Sequence, residues 1–313
     1  METFLVSLLN GVIYGLLLFM VSAGLTLIFG MMGVLNFAHA SFYMLGAYFA
    51  YALNPVLGFW GALAAAPLLV GFVGVVVERW FLRRVHHHGH AHELLLTFGL
   101  AFIIAEVIKL FFGNYPVDYR VPKMLDFAAF RIGSADYPFY RVLMGGVALA
   151  MFGLIHLLLT RTRAGIIVRS AIYKPRMVEA LGHNVPVVFM GVFGVGAALA
   201  GLAGAVAGAF YTTSPNMALE LGVMVFVVVV VGGLGSLGGA MLASLLIGVI
   251  TSMAVAVDAT LADFFALFGG RAWAEGIGGL LSLKVSSLAA TIPFALMLLI
   301  LLVRPSGLLG EKA

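Results

Sequence analysis

The chain has 313 residues, of which 63% are hydrophobic and 10% charged, and its mean hydropathy is +1.14. Soluble domains are about half apolar and about a quarter charged, so this composition excludes a soluble protein and predicts a polytopic membrane protein. The chain has no cysteine, which excludes disulfides, thiolate metal sites and cysteine nucleophiles. Its formal charge of +4 collects in loops, where it indicates membrane topology rather than nucleic-acid binding.

Nine apolar segments approach the roughly 20 residues that a membrane-spanning helix needs. The predicted spans are 4–30, 33–53, 59–82, 93–112, 139–160, 186–211, 219–234, 237–257 and 287–303. The first has no basic residue before it and is predicted to be a span, not a cleaved signal. The segment 219–234 is short for a span, and 258–286 has room for a further helical piece. The predicted number of spans is therefore about nine, with a range of roughly 8–10.

Clusters of basic residues orient these spans, because short loops rich in Lys and Arg stay on the cytoplasmic face. The clustered residues are Arg79, Arg83, Arg84, Arg161, Arg163, Arg169, Lys174, Arg176 and Arg304. The loop 161–184 is therefore predicted to lie inside, whereas 113–138 and 258–286, whose charges nearly balance, lie outside. The predicted fold is all-α, one transmembrane domain over 1–313, with the N-terminus out and the C-terminus in.

A closely spaced glycine stretch, FGMMGVLNFAHASFYMLGA (29–47), predicts a broken helix, since such breaks are tolerated at membrane depth beside protein or a water-filled cavity. Asn36 and His39 are expected to share a helix face and either to line a pathway or to tie helices together. A second stretch, VGGLGSLGGAMLASLLIGV (231–249), suggests a same-sense internal repeat. Alternatively, the likeness reflects only the abundance of glycine, 39 residues in all.

Glycines of the sixth span are predicted to form a helix-packing face, because small residues let helices approach closely. They are Gly191, Gly194, Gly196, Gly201, Gly204 and Gly208. Glu106 and Lys109 are interpreted as a local pair rather than a proton relay, and Glu78 and Arg79 are expected to snorkel. The tract HHHGHAH (86–92) is predicted to be a solvated loop without a metal site, because it lacks acid or Cys support.

The basic loop 161–184 contains the signals of a short helix. Pro175 suits a first helical position, Gly182 suits the left-handed residue after a helix end, and Pro186 bars continuation. One side is apolar and the other polar; the apolar residues are Met177, Val178, Ala180 and Leu181, and the polar ones Arg176 and Glu179. So short a helix needs something to pack on. We predict a docking helix for a cytoplasmic partner; the alternative is a basic loop against lipid headgroups.

Catalytic and energy-coupling motifs are missing from the sequence. It has no HExxH, no GxSxG, no paired intramembrane carboxylates and no Walker A lysine motif, and no ladder of acids crosses the spans. These absences predict a transport protein rather than an enzyme, with its energy supplied by another chain through the basic loop. A self-sufficient channel or secondary carrier is the alternative, and a membrane-embedded enzyme is disfavoured.

Five stretches and the ending RPSGLLG (304–310) carry a family resemblance. The stretches are GMMGVLNFAHASFYMLGAY (30–48), VVERWFLRR (76–84), ELLLTFGLAFIIAE (93–106), the whole of 161–184, and VVGGLGSLGGAMLAS (230–244). With them the sequence resembles the permease subunits of branched-chain amino acid ABC transporters, the high-affinity Leu/Ile/Val uptake type. The resemblance covers the whole chain. Ala40, Ser41 and the run AIYKPR (171–176) depart from the family pattern and leave urea, short amides and aromatic acids as alternative solutes.

The resemblance implies a bacterial inner-membrane importer with several other chains. These are a second, identical or homologous permease subunit, two cytoplasmic ATPases that bind ATP and Mg, and an extracytoplasmic solute-binding protein; this chain itself would bind no cofactor. The implied ATPase-coupling residues are Gly165, Arg169, Pro175, Arg176, Met177, Glu179, Leu181 and Gly182. The implied translocation-path residues are Asn36, Phe37, Ala38 and His39, together with Gly232, Gly233, Gly235 and Gly239 of the second glycine turn.

Overall fold

A computed structural model describes residues 2–257, 259–260, 262–263 and 283–310. The helices are α1 Glu2–Met32, α2 His39–Val77, α3 Arg83–Val85, α4 His90–Phe112, α5 Phe139–Arg161, α6 Arg163–Tyr173, α7 Pro175–Ala180, α8 Val185–Gly208, α9 Met217–Gly232, α10 Leu237–Ala256 and α11 Ile292–Val303. A π-helical turn covers Glu78–Leu82, and 3₁₀ turns cover His86–His88, Lys123–Leu125 and Val285–Leu288. The strands are β1 Ala128–Ile132 and β2 Ala135–Pro138.

Within the described residues, six helical segments are long and apolar enough to cross a membrane. They are Glu2–Met32, His39–His88, His90–Phe112, Phe139–Arg161, Val185–Gly208 and Leu237–Ala256. The shorter α9 and α11 are also apolar. The chain is about 78% helical, which agrees with the predicted helical class. Most of the possible extra piece in 258–286 lies outside the described residues, and the count of nine spans and the orientation stay predictions.

The long helical run of α2 folds back on itself at Gly58, which has φ +69°. Gly46 and Val70 lie on opposite sides of this glycine, yet both reach Gly201 of α8: a Cβ on Gly46 would lie 2.5 Å from the Gly201 Cα, and a Cβ on Gly201 would lie 2.7 Å from the Val70 Cβ. A straight helix would separate residues 46 and 70 by about 36 Å. The fold-back lies at the boundary predicted between the second and third spans.

Glycine contacts join α2 to α8, the most extensive helix contact among the described elements. A Cβ on Gly204 would overlap the Tyr43 carbonyl oxygen, and one on Gly208 would lie 2.8 Å from the Ala47 Cβ. The predicted glycine face of the sixth span is thereby confirmed in large part, since its other members also face neighbouring helices. Gly191 is the exception, because no heavy atom of the described structure lies within 4 Å of its Cβ position.

The predicted outer loop 113–138 contains a feature that the all-α prediction missed. Strands β1 and β2 pair antiparallel, with Arg131 opposite Asp136 and an ion pair between those two side chains. Gly133, at φ +59°, makes the turn between them. The strands are too short to show a clear alternation of apolar and polar residues, so no strand signal was available in this loop.

Candidate functional site

The chain leaves its helical path between α1 and α2, as the glycine stretch predicts. Gly33 has φ +67°, and α2 begins only at His39. The Asn36 side-chain Oδ1 accepts a hydrogen bond from the Ala38 N–H at 3.0 Å, which holds the non-helical turn. Asn36 therefore precedes the helix, and the expectation that it shares a helix face with His39 is wrong. The second predicted span correspondingly starts at residue 39 rather than 33.

His39 is buried and ties α2 to α1. Its Nε2–H donates to the Val21 carbonyl oxygen at 2.9 Å, and its ring fits against Gly24, where a Cβ would lie 2.8 Å from the His39 Cε1. Its Nδ1, like the Nδ2 of buried Asn36, has no hydrogen-bond partner among the described residues. The geometry thus gives His39 the helix-tying role that the sequence left open, while leaving one polar atom on each residue unused.

Phe37 stands between two other helices and is 47% exposed. Its ring stacks on Phe226 of α9 at a centroid distance of 6.1 Å and meets Phe98 of α4 edge-on at 6.4 Å. Its backbone N–H donates to the Thr97 Oγ1 at 3.3 Å. The break is therefore held to α4 by one hydrogen bond and one aromatic contact, and the Phe37 ring forms part of a wall.

That wall belongs to a cavity of about 300 Å³ between the break, α4 and the chain from 215 to 226. Asn36, Phe37 and His39 all line it, so the structure brings the first predicted path residues together. The remaining wall is largely apolar, and Glu106 and Lys109 contribute a pair of opposite charges. Its volume lies at the lower end of the roughly 300–1,000 Å³ found for small-molecule sites.

The second glycine turn is not among the residues lining this cavity. Gly233 and Gly235 have φ values of +102° and +83°. A Cβ on Gly235 would lie 2.8 Å from the Gly30 Cα, and one on Gly233 would lie 2.6 Å from the Gly310 Cα. The Gly232 carbonyl oxygen accepts from the Leu309 N–H at 3.0 Å. These glycines pack the α9–α10 turn against the end of α1 and the C-terminal segment; their place on a path stays a prediction.

The basic loop folds into two helices, α6 and α7, of which the sequence predicted only the second. Thr162 caps α6, since its Oγ1 accepts from the Gly165 N–H at 3.1 Å. A Cβ on Gly165 would overlap the carbonyl oxygens of Leu158 and Leu159, so this glycine lets α6 fold closely against the end of α5. The amphipathic spacing of Ile166, Ile167 and Ala171 was the available sequence signal for α6.

The predicted boundaries of α7 are confirmed. Pro175 is its first residue, and Gly182 follows its end with φ +87°. The Gly182 N–H donates to the Glu179 carbonyl at 2.9 Å and the His183 N–H to the Val178 carbonyl at 3.2 Å, which is the Schellman pattern. The next helix begins with an Asn184 cap, whose Oδ1 accepts from the Val187 N–H at 3.2 Å.

Only one residue of the predicted apolar side of α7 is buried. Val178 packs with Ala171 and Val185 in a small cluster, whereas Met177 and Leu181 are 59% and 76% exposed. Within the described chain Val178 alone is covered, because six helical residues offer one packing position to α6 and α8. The docking role of the apolar side stays a prediction.

Charged candidates for coupling surround that exposed apolar pair. Arg176 and Glu179 are exposed, and Arg169 and Lys174 line an open hollow beside α6. The Arg169 Nε–H donates to the Gly165 carbonyl at 3.4 Å, which holds its side chain along α6. The helix pair α6–α7 therefore exposes Met177 and Leu181, together with Ile166 of α6, next to basic residues.

Glu78 is buried and does not snorkel as predicted. Its Oε2 accepts from the Arg83 Nη2 at 2.7 Å, and the same Nη2 donates to the Pro186 carbonyl at 2.9 Å. In the π-helical turn Glu78–Leu82 the Arg83 N–H bonds to the Glu78 carbonyl five residues earlier, which places the Arg83 side chain next to this carboxylate. The link joins the end of α2 to the start of α8.

The histidine tract has an acid partner that the sequence analysis did not recognise. Buried Glu93 contacts the Nδ1 atoms of both His86 and His90, the latter at 3.2 Å. Among the described residues no three His, Cys, Asp or Glu side chains are arranged to hold a metal ion. The signal was the seven-residue interval from His86 to Glu93, which a 3₁₀ turn and the start of α4 bring together.

Residues 7–301 match the family model described as branched-chain amino acid transport system / permease component. The chain belongs to this family. It is 28% identical to the high-affinity branched-chain amino acid transport system permease protein BraD of Pseudomonas aeruginosa, over 98% of this chain and 96% of that protein. The corresponding permease protein LivH of Escherichia coli is 28% identical with the same coverage, and the probable LivH of Methanocaldococcus jannaschii is 27% identical over 96% and 91%.

One solved structure, PsaBC from Streptococcus pneumoniae in complex with Fab, aligns over 95% of this chain and 91% of its own with a TM-score of 0.46 and 13% identity. That likeness is too distant to define the fold. Family membership and the six apolar helices make the chain a multi-pass membrane protein of the ABC transporter class and a permease subunit, whose relatives are non-catalytic transport proteins.

Proposed function

We propose that this chain is the transmembrane subunit of an ATP-driven importer for branched-chain or related amino acids in a bacterial inner membrane. Its relatives BraD and LivH are permease proteins of branched-chain amino acid transport systems, which supports the solute class. In this proposal a second permease subunit completes the core, two cytoplasmic ATPases bind ATP and Mg, and an external binding protein delivers the solute. This chain binds no cofactor and carries no catalytic residue.

The observation that carries the proposal is the exposed apolar pair on α7. Met177 and Leu181 lie four residues apart and so are neighbours on the helix surface, while Val178 beside them is buried against Ala171 of α6 and Val185 of α8. A two-turn helix is not stable alone in water, and large uncovered apolar side chains mark interaction sites. Such a face suits a groove on a partner protein, with Arg176 and Arg169 available for its acidic rim.

The proposed solute path runs through the cavity at the helix break. Asn36, Phe37 and His39 would border it, and Gly232, Gly233 and Gly235 would support the neighbouring turn rather than contact the solute. Closure of the ATPases would push α7, and α8 would carry the displacement to α2, because these two helices are joined by direct backbone contacts. The Phe37 ring, held between α4 and α9, would then open or close one end of the cavity.

Co-purification with the ATPase tests the coupling role. We expect Met177→Asp with Leu181→Asp to remove the ATPase from the purified complex while leaving the full-length chain folded, because both side chains are exposed. His87→Asp adds a charge to another exposed position, outside the helix pair, and serves as the matched control. Retention of ATPase by the double variant, with unchanged solute-dependent ATP hydrolysis, would contradict the proposal, as would solute flux through liposomes containing this chain alone without ATP.

A further inference from the structure

We infer that Glu106 and Lys109 recognise the two opposite charges of a zwitterionic amino acid in the cavity at the helix break. This assignment rests on the proposed function and adds to it the residues that select the solute by charge. It replaces the interpretation of Glu106 and Lys109 as a purely local pair.

The pair lies on α4, within a helix long and apolar enough to span the membrane. The Lys109 Nζ is 2.6 Å from the Glu106 Oε1, and both side chains line the cavity. The Lys109 side chain is 31% exposed and the Glu106 side chain 67% exposed, so protein atoms cover neither completely. Ionisable residues in spanning segments are unfavourable in lipid and commonly mark a solute or ion pathway. The pair is thus positioned to exchange partners with a ligand.

The cavity provides apolar walls next to these charges. Phe98, Phe102 and Glu106 follow one another at four-residue intervals, so they line one face of α4, and Phe226 lies across the cavity on α9. From Phe98 to Glu106 the helix rises about 12 Å. A small amino acid can therefore place its charged end beside Glu106 and Lys109 and its apolar side chain along the phenylalanine rings.

Charge balance explains why a zwitterion fits better than other small solutes. An inserted α-amino acid places its ammonium beside Glu106 and its carboxylate beside Lys109, so every charge keeps an opposite partner. A carboxylic acid without an ammonium leaves Glu106 without a partner. Urea and short amides bring no charge to replace the ion pair.

The test measures binding of radiolabelled leucine to the membrane-embedded complex purified with the full-length chain, in nanodiscs and without binding protein. Competitors are leucinamide, which lacks the carboxylate, and 4-methylpentanoate, which lacks the ammonium. For the wild type we expect each competitor to be weaker than leucine by about tenfold, the effect of one charge-assisted hydrogen bond. Glu106→Gln should erase the advantage of leucine over 4-methylpentanoate, and Lys109→Gln its advantage over leucinamide.

Controls separate solute recognition from assembly and from the proposed function. Arg120→Gln removes a different exposed ion pair, with Asp118, which is not among the cavity-lining residues, and should leave the competition pattern unchanged. The assignment would be overturned if the wild-type complex showed no specific leucine binding. It would also be overturned if Glu106→Gln and Lys109→Gln gave the same competition pattern. So would loss of the second permease subunit from the Glu106→Gln and Lys109→Gln complexes, which would make the pair an assembly contact. None of these results would bear on ATPase docking at α7, because the co-purification experiment tests the proposed function separately.

Discussion

Replacing Gly204 by alanine probes the contact that joins α8 to α2. The new Cβ would overlap the Tyr43 carbonyl oxygen and lie 2.8 Å from the Tyr43 carbonyl carbon and 3.0 Å from the Ala47 nitrogen. Carbon atoms pack at about 3.5–4.0 Å, and the overlap with the carbonyl oxygen is larger still, so the helices would have to separate by more than about 1 Å. The obstacle is backbone, which cannot rotate away as a side chain would.

The expected loss follows from two opposing effects. Overpacking costs about 1–3 kcal/mol, and a backbone obstacle places Gly204→Ala at the upper end of that range. Alanine is favoured over glycine inside a helix by about 1 kcal/mol, which offsets part of the loss. We therefore expect the free energy of unfolding to fall by about 2 kcal/mol. Unfolding of the purified chain by increasing mole fractions of SDS, followed by circular dichroism, measures this difference.

Gly191 on the same helix is the matched control. Its Cβ position is open, so Gly191→Ala should keep only the helix-propensity gain and stabilise the chain by up to about 1 kcal/mol. The two substitutions are chemically identical and should have opposite signs. A stabilising Gly204→Ala, or equal effects at both positions, would refute the reasoning that close backbone contact holds α2 and α8 together.

Three further predictions concern an ion pair, a titratable side chain and an aromatic wall. Arg83→Met should lower the unfolding free energy by about 1–3 kcal/mol, because it leaves the buried Glu78 carboxylate without its partially exposed partner. The double variant with Glu78→Gln should recover most of that loss, and equal losses in both variants would argue against an unpaired carboxylate as the cause. Burial raises the pKa of Tyr119 from its ordinary 10.0 to about 12. The contribution of the neutral, buried Tyr119 to the free energy of unfolding is therefore complete below pH 10 and is lost as the pH rises towards 12. Alkaline unfolding in that window should be steeper for the wild type than for Tyr119→Phe, and superimposable curves would contradict this. Phe37→Ala should change leucine uptake by the reconstituted transporter about two- to tenfold without altering assembly, because it removes one aromatic contact. Phe72 is exposed and outside the cavity lining, so Phe72→Ala should leave uptake unchanged. Equal uptake by the two variants would refute the role of the Phe37 ring in the cavity wall.

Features that depend on neighbouring residues were predictable from the sequence. Pro175 and Gly182 bound α7 because proline tolerates the first helical position and glycine tolerates the left-handed conformation after the last. The helix break before His39 and most of the glycine packing face of α8 were likewise indicated by the residues themselves. In each case the physical cause acts within a few residues or through one residue type.

Features that depend on the path of the whole chain were not predictable. The cavity exists because the break brings Phe37 between Phe98 and Phe226, which are distant from it in the sequence. The burial of Glu78 depends on a π-helical turn, for which the sequence has no simple signal. The exposure of Met177 and Leu181 agrees with the predicted docking helix, but the burial of Val178 against α6 and α8 could not be foreseen from the short helix alone.

The proposed docking face and the cavity are connected through α8. Its first residues are tied to the segment that follows α2 by the hydrogen bond from Arg83 to the Pro186 carbonyl, and its later residues are packed against α2 without side chains between the backbones. Close-packed interfaces move as units rather than deforming gradually. A force on α7 that shifts α8 must therefore also shift α2, whose first residue is His39 beside the cavity. Arg83→Met tests this connection, because it removes the hydrogen bond to the Pro186 carbonyl while leaving the residues of the proposed docking face and of the cavity lining unchanged.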